Sequence, residues 1–146
     1  SFEFLKNPKY RIYFWHNDNV IYNAFKKQLS AHKSVYTPCL GLSENIANFG
    51  FIGEFGILPQ KSNGDIMLHS IISINKLKDE RGVNFTENME YSSERIPVEM
   101  NQERIVTKYS DIIFERNGRP IKAKISEHYW QIKYADRRIE NVVFIE

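Results

Sequence analysis

The spacing of bulky side chains changes abruptly near the start of the chain, and this change constrains the fold more than any other feature. Along residues 9–16, bulky residues alternate with a period of two, which predicts a β-strand. Along residues 18–31, apolar residues recur at fourfold spacing, which predicts an amphipathic helix with Ile21, Phe25 and Leu29 on one face. Asn17 or Asp18 is suited to cap its first turn. The amino-terminal part is therefore predicted to be a strand followed by a helix.

Strand signals dominate the sequence after this helix. A loop and a tight turn are predicted around Thr37-Pro38 and Gly41, followed by strands at residues 49–57 and 65–77. Aromatic residues make up 14% of the chain, which supports strands because aromatic and β-branched side chains favour them. The predicted class is α+β, in the order β-α-β with a further strand.

The last part of the sequence is predicted to be an antiparallel β unit. Asn117-Gly118 is a strong hairpin signal between strands at residues 112–115 and 120–125. Alternation predicts two more strands at residues 129–134 and 142–145.

A polar segment separates these two parts. Residues 77–94 show neither helical nor strand periodicity and are predicted to be a mobile loop or hinge. The predicted organisation is therefore a first domain at residues 1–76, this hinge, and a β-rich carboxy-terminal part at residues 95–146.

Charge and cysteine content exclude several functions. Twenty basic residues are nearly matched by eighteen acidic ones, so a nucleic-acid site has to be a local patch. Cys39 is the only cysteine, which excludes an intrachain disulfide and fits a reducing cytoplasm. The histidines lack metal-ligand spacing, no cofactor motif is present, and no apolar run approaches the ~20 residues of a membrane span. We expect no metal, no cofactor and no membrane.

Basic residues interleaved with aromatic ones mark a candidate nucleic-acid surface. In the stretch after the predicted helix, Lys33 could meet phosphates and Tyr36 could meet unstacked bases. Gly41 lets the backbone turn closely enough for amides to approach a phosphate. The alternative is that the basic residues only solvate strand edges.

The same stretch permits a catalytic interpretation. His32, Lys33 and Tyr36 are of the types that metal-free ribonucleases use to activate a ribose 2′-hydroxyl and stabilise a phosphorane. Their proximity in sequence is the sole support for this hypothesis.

Three segments resemble one known family, the fifth Cascade subunit, which belongs to the CRISPR-associated RAMP proteins. The run HKSVYTPCLGLSENIANFGFIGEF at residues 32–55 resembles the family's middle signature. NPKYRIYFWHND at residues 7–18 and RIPVEMNQERIVTKYSDIIFERNG at residues 95–118 resemble a strand before the second helix and a carboxy-terminal β region. The resemblance covers nearly the whole chain.

This resemblance implies a fold and a function. Residues 1–76 would be part of a ferredoxin-like, RRM-related domain, followed by a small antiparallel β domain, and the family's first strand and helix would precede Ser1. The protein would bind the 5′ handle of CRISPR RNA in the cytoplasm, in antiviral defence. Its protein partners would be the large Cascade subunit and the backbone RAMP protein.

One branch of the family cleaves repeat RNA with a tyrosine and an adjacent lysine-histidine pair near the start of the second helix. Here that stretch reads DNVIYNAF, and His32-Lys33 is reversed in order and lies at the far end of the helix. A non-catalytic, RNA-binding subunit is therefore expected, with a metal-independent endoribonuclease and a protein-only assembly module as alternatives. The expected RNA-contacting residues are Lys33, Ser34, Tyr36, Thr37, Gly41, Arg104 and Lys108.

Overall fold

The computed structural model describes residues 8–40, 44–79 and 81–145. Within these ranges the protein has one α-helix, a short 3₁₀ helix at Ile74–Lys76 and eight strands, all paired antiparallel. The predicted mixture of helix and strand is confirmed. The elements are α1 Asn19–Ser30, β1 Ile57–Lys61, β2 Ile66–Leu68, β3 Ile72–Ser73, β4 Tyr91–Met100, β5 Val106–Glu115, β6 Ile121–Ala123, β7 His128–Lys133 and β8 Ile139–Val142.

Internal contacts divide the chain into two compact units, Ser1–Gly53 and Glu54–Glu146. We call them the amino-terminal and the carboxy-terminal unit. The sequence placed its dividing segment later, at residues 77–94. The structure differs because β1, β2 and β3 pair with strands near the end of the chain, which draws residues 57–73 into the carboxy-terminal unit.

The helix is where the sequence predicted it, and Asp18 is its N-cap. The Asp18 carboxylate accepts hydrogen bonds from the backbone N–H groups of Val20 at 2.8 Å and Ile21 at 3.4 Å. These bonds satisfy two of the donors that the first turn of a helix leaves without partners. None of the helices in the described part of the chain has the length and apolarity that crossing a bilayer requires.

The strand predicted at residues 9–16 is wrong. Residues 8–16 adopt no strand, and Ile12 is 86% exposed, so the alternating pattern has no buried side. Phe14 instead packs edge-on against Phe25 of α1, with 4.6 Å between ring centroids. A segment with alternating residues becomes a strand only where a neighbouring strand pairs with its backbone N–H and C=O groups. In the described part of this unit no strand does so. The strand predicted at residues 49–57 fails likewise, since only Ile57 lies in one.

The carboxy-terminal unit consists of three small antiparallel sheets, in the strand orders β1-β7-β8, β2-β6 and β3-β5-β4. The predicted strand at residues 65–77 is divided between β2, β3 and the 3₁₀ helix. The strand predicted at residues 142–145 is wrong except for Val142, because β8 pairs with β7 over Ile139–Val142 and residues 143–145 form no strand. Within the segment predicted to be a loop or hinge, at residues 77–94, Val83 bridges Ala123 and β4 begins at Tyr91.

The predicted hairpin at Asn117-Gly118 is wrong as well. This turn joins β5 to β6, which belong to different sheets. The described residues form hairpins at β4–β5 and at β7–β8 instead. In the β4–β5 turn the Asn101 N–H donates to the Ile105 carbonyl at 3.0 Å, and the Asn101 carboxamide oxygen accepts from the Ile105 N–H at 2.8 Å.

Alternation along β2 and β6 builds the core. Ile66 and Leu68 are buried while Met67 is exposed, and Ile121 and Ala123 are buried while Lys122 is exposed. Since these strands pair directly, their apolar side chains meet on one face. The core cluster comprises Ile66, Leu68, Ile72, Val83, Ile121, Ala123, Ile125 and Val143.

A buried carboxylate fixes the turn between β5 and β6. The Glu115 side chain has no exposed area, and its Oε2 accepts the backbone N–H groups of Asn117 and Arg119, both at 2.9 Å. Its Oε1 accepts the Glu90 N–H at 3.1 Å and the Arg119 guanidinium at 2.7 Å. The guanidinium, helped by the backbone donors, holds the pKa of Glu115 well below its usual value.

We predict that Glu115→Gln lowers the thermal midpoint at pH 7 by about 5 °C or more, because an amide cannot accept all of these bonds. The pKa of Glu115 is lowered by folding, so its stabilisation is complete above the pKa of the unfolded chain and is lost as pH falls below about 4. The native protein should therefore lose stability more steeply below pH 4 than the variant. Differential scanning calorimetry across pH tests this, with the exposed Glu99→Gln as control. Parallel acid profiles would contradict it.

Gly82 permits a close backbone approach in the same unit. An added Cβ would lie 3.0 Å from the carbonyl oxygens of Asp79 and Lys124 and from the Leu77 Cβ. We predict that Gly82→Ala costs about 1–3 kcal/mol of unfolding free energy, because backbone atoms would have to move. An added Cβ at Gly56 meets nothing within 4 Å, so Gly56→Ala is the control. Urea denaturation measures both, and equal stabilities would show that the loop relaxes freely.

Candidate nucleic-acid interface

The end of α1 sets the direction of the segment that the sequence predicted to bind RNA. The His32 N–H donates to the Leu29 carbonyl at 3.0 Å, and the Lys33 N–H donates to the Gln28 carbonyl at 2.9 Å. His32 has a positive φ of 52°. This combination is a Schellman motif, which usually has glycine where His32 stands. The chain therefore leaves the helix in a defined direction at His32.

The His32 ring has a structural contact of its own. Its imidazole stacks on the Phe49 ring, with centroids 4.6 Å apart and planes at 13°. Among the described residues it forms no hydrogen bond with Lys33 or Tyr36 side chains. The three groups of the ribonuclease hypothesis are thus not joined into a hydrogen-bonded set.

The residues after His32 are exposed. Tyr36 is 75% exposed, and neither it nor Lys33 has a side-chain hydrogen bond or ion pair with another described residue. The Ser34 hydroxyl donates to the Tyr36 carbonyl. Thr37 is exposed next to it. The structure therefore brings Lys33, Ser34, Tyr36 and Thr37 together on one exposed segment, as their adjacency in sequence implies.

The stretch that follows doubles back on itself. Cys39 forms an antiparallel bridge with Ile46, and the Leu40 N–H donates to the Asn45 carbonyl at 2.8 Å. The Ala47 N–H donates to the Pro38 carbonyl at 2.9 Å. Gly41, the remaining predicted contact in this part of the chain, lies outside the described residues.

The other two predicted contacts lie in the carboxy-terminal unit. Arg104 is exposed at the β4–β5 turn with a positive φ of 63°, and Lys108 is on β5. The Lys108 Nζ lies 3.0 Å from a Glu99 carboxylate oxygen, which offsets its charge. Residues 91–115 carry five acidic and three basic side chains. This hairpin is therefore a poorer phosphate-binding surface than the segment after α1.

Sequence reasoning missed a groove in the carboxy-terminal unit. It lies where the end of β1 meets the start of β7, and Lys61 is paired directly with His128. The two residues are far apart in sequence, and only knowledge of the β1–β7 pairing could have brought them together. Across residues 8–40, 44–79 and 81–145, no cluster of three or more histidine, cysteine or acidic side chains could hold a metal ion.

Comparisons of the chain with protein-family models, with curated proteins and with solved structures found no match. Function is therefore argued from the residues and their geometry.

Proposed function

We propose that this chain is a non-catalytic, RNA-binding subunit of a type I CRISPR Cascade complex, which holds the 5′ handle of CRISPR RNA. The observation that carries the proposal is the exposed segment of Lys33, Ser34, Tyr36 and Thr37, fixed in direction by the Schellman motif. The resemblance of residues 32–55 to the family's middle signature supports it, because the same segment lies within that run.

Each side chain of the segment has a chemical role in this proposal. The Lys33 ammonium has no acidic partner among the described residues and attracts a phosphate. The exposed Tyr36 ring offers a face to an unstacked base, an interaction worth about 1–3 kcal/mol. The hydroxyls of Ser34 and Thr37 can accept a hydrogen bond from a ribose 2′-hydroxyl, which distinguishes RNA from DNA.

We also propose that the amino-terminal unit is part of a ferredoxin-like domain. Ile21 and Phe25 lie on one side of α1 and are 48% and 38% exposed. Such an apolar stripe is what a helix of that fold packs against its sheet.

The geometry favours binding over cleavage. His32 occupies a left-handed position at the helix end and stacks on Phe49, so both its backbone and its ring have structural roles. A general acid or base has to reach the proton that it transfers, and here nothing orients the imidazole towards a reacting group.

The test is a gel-shift assay of the full-length protein with 5′-labelled CRISPR repeat RNA in EDTA, across a salt series. We expect a shift without cleavage, and affinity that falls as salt rises. Tyr36→Ala should weaken binding by about tenfold, because one stacked base is lost. Lys33→Gln should weaken it and lower the salt slope by roughly 0.7, which is one phosphate contact on single-stranded RNA.

The matched control is Lys133→Gln, an exposed lysine on β7 in the other unit. All three variants should keep their unfolding free energy within about 0.5 kcal/mol, since the residues are exposed. Cleavage that persists in EDTA and disappears in His32→Ala would establish the ribonuclease instead. If neither a shift nor cleavage is observed, the RNA-binding proposal is ruled out.

A second candidate function is protein-only assembly, and a separate observation favours it. None of the described residues of the amino-terminal unit, 8–40 and 44–53, is buried. Several of its apolar side chains are strongly exposed, including Ile12 at 86%, Val20 at 79% and Ile46 at 70%. Exposed apolar surface of this kind is a mark of a protein interface.

For this candidate we predict that Ile12→Ser and Val20→Ser reduce co-purification with the other Cascade subunits at least threefold after thorough RNase treatment. An exposed apolar side chain that becomes buried contributes about 1–2 kcal/mol or more to binding. Ile105→Ser, at the β4–β5 turn, is the control because Ile105 is also exposed, at 62%. Co-purification that depends entirely on intact RNA would exclude a protein-only role.

A further inference from the structure

The carboxy-terminal unit contains an open groove of about 620 Å³. Its floor is the end of the β1–β7 ladder, where Lys61 pairs with His128 and the Ser62 N–H donates to the Glu127 carbonyl at 3.2 Å. The chain segments that leave these two strands form its sides. The lining residues are Pro59, Gln60, Lys61, Ser62, Asn63, Ser126, Glu127 and His128.

Lys61 supplies the positive charge in this groove. Its single acidic side chain, Glu127, is engaged by the Lys76 ammonium at 3.5 Å, so its negative charge is offset. Lys61 is exposed and has no carboxylate partner in the described part of the chain. An anion entering the groove would therefore meet one available ammonium beside a carboxylate that is already compensated.

An aromatic wall stands next to this cation. The His128 ring lies edge-on to the Trp130 ring, with centroids 5.3 Å apart and planes at 80°. Trp130 in turn packs edge-on against Phe144 at 6.2 Å, and its partner across the strands is Pro59. Trp130 and Phe144 are half-buried, while His128 is exposed. The imidazole is thus an exposed ring that packs beside Trp130.

The polar groups of the groove complete the arrangement. The Ser62 hydroxyl donates to the Gly64 carbonyl at 3.5 Å, and the Ser126 hydroxyl donates to the Lys76 carbonyl at 3.2 Å. Asn63 also lines the groove, and a carboxamide offers both a donor and an acceptor, which suits the hydrogen-bonding edge of a base. Gln60 pairs with Tyr129, so its side chain lies on the other face of the ladder from Lys61 and His128.

We propose that this groove binds one nucleotide of a single-stranded RNA, with its phosphate on Lys61 and its base against the His128 ring. That the ligand is RNA rests on the proposed function. The site itself rests on the groove and is separate from the segment after α1. An adjacent cation, an aromatic ring and an amide are elements from which proteins build such subsites.

The experiment follows Trp130 fluorescence in a Trp15→Phe background, where Trp130 is the only tryptophan. The titrant is a 5′-phosphorylated tetrauridylate, with inorganic phosphate and unphosphorylated uridine as separate arms. We expect a saturable change with the tetranucleotide that weakens with salt. Lys61→Gln should raise Kd at least fivefold, and Lys61→Arg should restore most of the affinity because it keeps the charge.

Further variants separate this site from the proposed handle-binding segment. Lys133→Gln at the other end of β7, and Tyr36→Ala in the amino-terminal unit, should leave the Trp130 titration unchanged. In a filter-binding assay, His128→Phe should retain affinity for the tetranucleotide and His128→Ser should lose it, because the first keeps a ring. Circular dichroism establishes that each variant is folded.

The outcomes are distinguishable. A silent Trp130 titration, or one that Lys61→Gln does not affect, overturns the groove inference even if the handle RNA is shifted in gels. Inorganic phosphate alone giving the full effect overturns it too, since the site is then a simple anion site. Saturable, Lys61-dependent binding without any gel shift of the handle RNA supports the groove as a nucleotide site and counts against the proposed function.

Discussion

The fold of the carboxy-terminal unit depends on the buried Glu115 carboxylate. A charged group without exposed area is costly unless its lone pairs are occupied, and here both oxygens accept several N–H donors, including the Arg119 guanidinium. These donors come from the turn that follows β5 and from Glu90 just before β4. The Arg119 guanidinium also donates to the Asn88 carbonyl at 2.6 Å. One side chain thus fixes where β5 ends, where β6 begins and where β4 starts.

The turn that Glu115 fixes between β5 and β6 also affects where the groove forms. The chain leaves the β3-β5-β4 sheet at this turn, so β6 pairs with β2 instead. Ile121 and Ala123 of β6 then complete the core. The chain then continues from β6 through Ser126 into β7, which pairs with β1 and places His128 opposite Lys61. The groove is therefore a product of the sheet crossover rather than of any local motif.

Local signals in the sequence predicted local features well. The Asp18 cap and the fourfold apolar spacing predicted α1, because both signals depend on residues within a few positions of one another. The exposed segment from Lys33 to Thr37 was predictable for the same reason, since its members are adjacent along the chain. The sequence could not indicate that His32 would end the helix in a left-handed conformation, because histidine only occasionally replaces glycine there.

Features that depend on distant partners were not predictable. Alternation at residues 9–16 suggested a strand, yet alternation does not say whether another strand is available. Asn117-Gly118 suggested a hairpin, but the turn is shaped by Glu115 and Arg119, which direct the chain to a different sheet. The groove residues Lys61 and His128 meet only through the β1–β7 pairing. Sequence adjacency could not have suggested either residue as part of a site.

The two units differ in how many of their residues are buried, and this difference affects how each proposed binding surface would form its contacts. The carboxy-terminal unit has a buried core, so the proposed nucleotide subsite would be formed before its ligand arrives, which lowers the ordering entropy that binding costs. None of the described residues of the amino-terminal unit is buried, and its contacts combine local hydrogen bonds with ring packings such as Phe14 on Phe25 and His32 on Phe49. The proposed protein contacts would therefore form on exposed apolar side chains of a unit without a buried core, whereas the proposed nucleotide subsite would form on a unit whose core is already packed.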